Sequence, residues 1–149
     1  VVVVVAGMVP CTVLTRAKSE PVAFSLIRVD DGDTIHLRGD PQGIRLVGFN
    51  APESTQLRAK CEAELRMGKI AKARLKQILE RASMIDLQPV ACACRPGTEG
   101  TNRCNFGRRC AYLAADSVDV GAILIKDGLA EIYRCGKTRC PPVPRPWCR

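Results

Sequence analysis

A chain of 149 residues, 46% apolar and 4% aromatic, has room for one cored domain and too little for two. Its 23 Lys and Arg against 15 Asp and Glu leave a net charge of +8. That balance favours a polyanionic partner such as nucleic acid over an acidic surface's partners, the bland alternative being a surface kept soluble by lysine and arginine. Nine cysteines point to an oxidising compartment and away from a reducing one.

The chain opens on an almost wholly apolar stretch, V-V-V-V-V-A-G-M-V-P-C-T-V-L-T, shorter than the about 20 residues a membrane helix needs. It suits the hydrophobic region of a signal peptide, with Thr15-Arg16-Ala17 as a loose cleavage site; the alternatives are an uncleaved anchor or a buried strand. Cleavage there would remove Cys11 and leave an even number of cysteines. Residues 1–20 are therefore read as a leading segment, 21–133 as the domain, and 134–149 as a Cys- and Pro-rich extension.

Residues 24–29, 34–38 and 44–47 alternate as strands do, with turns at 30–33 and 39–43. A helix is expected over about 56–82, where Cys61, Leu65, Gly68, Ala71, Leu75, Ile78 and Ala82 recur every three or four residues. Gly68 costs such a helix about 1 kcal/mol against alanine, so it marks close packing or a break. A fourth strand is expected at 85–90, a Cys- and Gly-rich loop at 91–105, and a fifth strand at 109–114. Asp119 should cap a helix over 120–127 that Gly128 ends, before a short extended piece at 130–133. Five strands and two to three packed helices in this order suit a partly Greek-key OB-fold β-barrel, an α+β arrangement.

The chemistry concentrates between Asp30 and Ser54. Folded as a hairpin, this stretch brings Asp33 near Asn50 and Glu53, with Arg45 directed to the same end. An Asp carboxylate such as Asp33, an Asn amide oxygen such as Asn50 and a backbone carbonyl are the oxygen ligands a hard cation takes. Arg45 carries the planar fork that suits a phosphate. Each residue also has an ordinary reading. Asp33 could satisfy turn amides, Glu53 could open a helix, and the arginines could sit in surface ion pairs.

The run 29–34, then Ile44-Arg45-Leu46 and Pro52-Glu53, resembles the active-site motif of the staphylococcal nuclease (thermonuclease-like) family. Residues 106–112 resemble its second arginine motif and 120–130 its last core helix, so the match spans roughly 24–133 in the right order. The resemblance implies an OB-fold and a Ca2+-dependent hydrolysis of DNA and possibly RNA, with little sequence preference and leaving 5′-hydroxyl and 3′-phosphate ends. It further implies that Asp33, Asn50 and the Ala51 carbonyl hold the ion, that Glu53 handles the attacking water, and that Arg45 and Arg108 stabilise the transition state.

Two positions depart from the family pattern. Asn50 stands where the family has a second aspartate, which removes one unit of negative charge from the ion site. Phe106 replaces a phenol that contacts a substrate phosphate, which loses a hydrogen bond and is expected to keep the packing. Arg109 should face solvent, and His36, the lone histidine, reads as a strand surface residue. The cysteines lack zinc-ribbon spacing, so disulfides are expected around the Arg108 loop and along the tail, with the connectivity open. The expectation is a secreted or periplasmic, monomeric nuclease. Its rival is a catalytically silent nucleic-acid-binding OB module, for which Asn50 is the best argument. A disulfide-stapled structural domain would explain the cysteines and leave the hairpin unexplained.

Overall fold

The computed structural model describes residues 18–149, so the expected leader, its cleavage site at Thr15-Arg16-Ala17 and Cys11 lie outside the described residues. A short strand β1 (Glu20–Pro21) leads into a 3-10 turn at Phe24–Leu26, and β2 (Ile27–Asp31) begins only after it. The first strand therefore starts three residues later than the alternation suggests. The turn is a corner that carries the chain from one edge of the sheet to the other.

β2 pairs with β3 (Thr34–Leu37), with Asp31 opposite Thr34, so the hairpin turns on Gly32 and Asp33 alone. The expected four-residue acidic turn is thus half that length. Asp30 is the bulged residue between Val29 and Asp31, and both belong to the strand. β4 (Gly43–Leu46) returns antiparallel to β3, and β5 (Gly48–Asn50) follows. After α1 (Glu62–Arg81), β6 (Ile85–Val90) pairs antiparallel with β7 (Arg109–Ala115), and β7 runs parallel to β4. β8 (Val118–Asp119) folds back on β7, α2 (Val120–Lys126) follows, and β9 (Glu131–Tyr133) pairs with β5.

The main sheet has the order β1-β6-β7-β4-β3-β2. Its two edge strands, β1 and β2, are joined by only a few residues, so the sheet must curl to bring those edges together. The result is a mixed α+β fold with a curled, barrel-like sheet and two helices among the described residues. Ile35, Leu46, Leu75, Leu79 and Leu124 are wholly buried between the inner face of the curl and the helices.

Helix α1 starts at Glu62, six residues after the periodicity would have it. Cys61 is extended (φ −156°, ψ 162°), its Sγ accepts from the Glu64 amide, and it is disulfide-bonded to Cys148. It caps the helix and so leaves the core stripe. Gly68 marks close packing: a Cβ there would lie 2.1 Å from the Glu53 carbonyl oxygen. Asp119 caps α2 by accepting from the Ala122 amide at 2.8 Å, and Gly128 ends it at φ +70°.

The eight described cysteines form four disulfides, Cys61–Cys148, Cys92–Cys110, Cys94–Cys104 and Cys135–Cys140. The tail docks on the start of α1. Arg145 reaches both oxygens of Glu64, at 2.6 and 2.8 Å, and Glu64 is only 1% exposed. Among the described residues no helix is long and apolar enough to cross a membrane.

Candidate functional site

The β2–β3 turn and strand β4 build the centre of the site. Arg45 sits opposite Thr34 in the β3–β4 ladder, and its Nη1 lies 2.5 Å from Oδ1 of Asp33. Its Nη2 donates to Oδ1 of Asn50 at 3.0 Å and to the Phe49 carbonyl at 3.4 Å. Asp33 is 4% exposed and fully engaged: Oδ2 accepts from the Ala51 amide at 2.8 Å, and Thr34 Oγ1 donates to Oδ1 at 3.2 Å. Asn50 turns its Nδ2 to the Ala51 carbonyl at 3.2 Å and to the Pro144 carbonyl at 3.5 Å. One hairpin and the strand after it therefore gather Asp33, Arg45, Asn50 and Ala51.

Arg108 comes from a different part of the chain, between the 3-10 turn Asn105–Gly107 and β7. Because β7 runs parallel to β4, its first residues lie beside the Arg45 strand. Nη1 of Arg108 donates to Thr34 Oγ1 at 3.1 Å; Nε and Nη2 donate to the Asn105 carbonyl and Oδ1 at 3.1 and 2.8 Å. Among the described residues no carboxylate lies within ion-pair distance of it. Burial and then the neighbouring Arg45 guanidinium hold its pKa below the usual arginine value. Two guanidiniums that repel each other across Thr34, one of them lacking a counter-ion, form a place that attracts an anion.

Glu53 follows Pro52 on the segment whose carbonyl rests against Gly68, and it lines the same groove. Its carboxylate makes no hydrogen bond among the described residues, which leaves it open to a groove of 2060 Å³. Asp33, Arg45, Arg108 and Tyr133 also border that space.

Phe106 is where the expected packing fails. The residue is 83% exposed, and its ring sits under the Arg108 guanidinium outside the core. Asn105, Phe106 and Gly107 all have positive φ (51°, 58° and 77°), which swings the ring outward, 5.7 Å from the Arg108 guanidinium carbon. For the first two residues this is a strained backbone. The disulfides Cys94–Cys104 and Cys92–Cys110 bracket the segment and hold it there.

The sequence alone passed over three groups. Asp31, 8% exposed, has its pKa raised to about 7 by burial, then by the Asp33 and Glu53 charges, against partial relief from the Gly32 amide and Ser54. His36 is half-buried and bonds Asp30 through Nδ1, and so is no plain surface residue. Tyr133, on β9 in the groove, has its pKa raised by burial, partly countered by Arg45, and its hydroxyl donates to the Pro141 carbonyl. Arg109, by contrast, is exposed as expected and pairs with Asp40.

Among the described residues no group of three or more His, Cys, Asp or Glu side chains is set to hold a metal. The oxygen donors Asp33, Asn50 and the Ala51 carbonyl fit a hard cation in kind. They are short of charge, and each is already bonded to Arg45 or to another of the three. No family model matches the chain. It is similar to an uncharacterized protein of Bacillus anthracis, 26% identical over 127 residues that cover 82% of this chain and 54% of that protein. The chain thus spans just over half the length of that relative.

Proposed function

We propose that the chain is a divalent-cation-dependent phosphodiesterase, most simply calcium-using, that cuts DNA and RNA with little sequence preference. The observation that carries this reading is the convergence from two distant segments of Arg45, on the buried Asp33, and Arg108, on the adjacent Thr34, beside the open carboxylate of Glu53. Arg108 is half-buried and yet has neutral partners only. A phosphodiester entering the groove would give Arg108 the anion it lacks and Arg45 a second one beside Asp33.

In this reading Glu53 accepts the proton of the attacking water. Arg45 and Arg108 donate to the non-bridging oxygens as negative charge builds on them; the bond from phosphorus to the 5′ oxygen breaks, and that oxygen leaves as the 5′-hydroxyl with a proton from solvent. Asp33, Asn50 and the Ala51 carbonyl would hold the cation, which supplies Lewis-acid polarisation of the phosphoryl group when bound. The β2-β3-β4-β7-β6 strand order, with β4 parallel to β7 and α1 between β5 and β6, supports an OB-fold of the staphylococcal nuclease type. Four disulfides support an extracytoplasmic, secreted protein.

A silent nucleic-acid-binding module is the second reading, and one observation favours it. Arg45, the Asn50 amide and the Ala51 N–H already engage every oxygen the cation would need. Hydrolysis of denatured DNA by oxidised protein, titrated with calcium and with magnesium against a chelator control, separates the two. Cation-dependent cleavage that falls at least a hundredfold in Arg45→Gln and in Arg108→Gln is expected. DNA binding without cleavage at any cation concentration would establish the binding module instead.

A further inference from the structure

The histidine that the proposed reaction does not use sits on the same face of β3 as Thr34. Residues two apart on a strand share a face and lie about 7 Å from each other, and both line the groove. Thr34 holds the Arg108 guanidinium; His36 lies further along, opposite Gly43 of β4. Gly43 matters because it has no side chain. A Cβ there would stand 3.0 Å from Cε1 and 3.2 Å from Nε2 of His36, and 3.3 Å from Cγ of Arg108. The imidazole edge and the Arg108 stem therefore meet over the bare backbone of β4.

The imidazole is held from behind. Its Nδ1 bonds Oδ2 of Asp30, whose other oxygen takes Nε of Arg28 at 2.7 Å. Asp30 is the bulged residue of β2, and the bulge aims its carboxylate at the ring. With Nδ1 committed to a carboxylate, Nδ1 carries a proton and Nε2 is left for something else. Nε2 has no hydrogen-bond partner among the described residues, and none of their buried side-chain nitrogens or oxygens lacks one, so Nε2 opens on the groove. Asp30 already has Arg28 as a counter-ion, so balancing its charge does not explain the histidine.

We propose that His36, oriented by Asp30, is a second phosphate subsite. As the imidazolium, with Nδ1–H on Asp30, it offers Nε2–H to the phosphate next in line to the one between Arg45 and Arg108. The proposal rests on the arginine clamp being a phosphate site, and it adds that a polynucleotide is gripped at two successive phosphates. An Nε2–H donor to a phosphate oxygen is a charge-assisted bond, worth about tenfold in affinity.

The test is calorimetric binding at pH 6 in chelator, where no cleavage intervenes. The ligands are thymidine oligomers with one and with two phosphodiesters. Wild type is expected to bind the two-phosphate oligomer about tenfold tighter. His36→Gln and Asp30→Asn should lose that gain and keep the one-phosphate affinity, while His36→Lys, which restores a cationic donor, should recover it. Thermal midpoints within a few degrees of wild type would identify the variants as folded. An undiminished gain in folded His36→Gln overturns the subsite and leaves the clamp standing. One-phosphate binding that is absent in wild type, or unchanged in Arg108→Gln, overturns the clamp and the subsite together.

Discussion

Asn50 decides the charge balance of the site. Its Oδ1 takes a hydrogen bond from Arg45, and its Nδ2 spends its protons on the Ala51 and Pro144 carbonyls. Asn50→Asp removes both donations and adds a second carboxylate beside Asp33, which a hard cation favours. The expected outcome is cleavage that saturates at a calcium concentration at least tenfold lower than in wild type. An unchanged calcium dependence would take Asn50 out of the ion site. Asp31 gives a prediction in pH. Its folded pKa, raised from the ordinary 3.8 to about 7, means the native state keeps a proton that the unfolded chain loses. Its contribution to stability is intact below the ordinary value and is lost as pH rises through about 7. In chelator, Asp31→Asn should match wild type at pH 4 and exceed it at pH 8 by up to about 4 kcal/mol. Denaturant unfolding at the two pH values checks this, and equal curves at pH 8 would refute it. Asp33, Arg45, Asn50 and Ala51 were legible because one short hairpin carries them. Asp31 and His36 were not. Whether D-D-G-D forms a turn of four residues or two depends on pairing across the hairpin, and a shift of one residue exchanges the two faces of a strand.

At the scale of elements, α1 is what fixes Glu53. The carbonyl of Glu53 lies against the helix backbone at Gly68, the one position in that turn where the chain can come so close. The carboxylate is therefore set by a backbone contact, with no side-chain hydrogen bond to hold it. Gly68→Ala adds only a methyl group, and in an exposed helix it would be favourable by about 1 kcal/mol. Here the methyl would collide with the carbonyl, so a loss of about 1–3 kcal/mol is expected. Cleavage should fall further than stability does, since Glu53 must shift. A stabilised or fully active Gly68→Ala protein would mean that the segment at Glu53 moves freely away from α1. The core stripe of α1 was readable from its period. Its start was not, because a cysteine rarely caps a helix and Cys61 does so as one end of a bridge to residue 148. Sequence spacing carries no information about a partner that far away.

For the whole molecule the question is where the excess positive charge acts. β2, β3, β4, β6, β7 and the two helices were legible in the sequence one by one, whereas β1, β5 and β8 and the parallel pairing of β4 with β7 were not, since periodicity reports faces and not neighbours. That pairing joins Arg108 to Arg45. It also separates two populations of cations that composition lumps together. Arg134 and Lys137 border the groove, whereas Lys69 and Lys76 stand exposed on α1 and take no part in it. If the net charge served solubility alone, neutralising either pair would change nucleic-acid binding equally little. If the groove follows a polyanion, each lost phosphate contact should lower the slope of log Kobs against log salt by about one. Salt titrations of single-stranded DNA binding in chelator would compare Arg134→Gln/Lys137→Gln with Lys69→Gln/Lys76→Gln, two variants of equal net charge. The groove pair is expected to lose up to about two units of slope and the helix pair almost none. Equal slopes would mean that binding senses only the overall field of the protein, and the groove would lose its claim to be the nucleic-acid path.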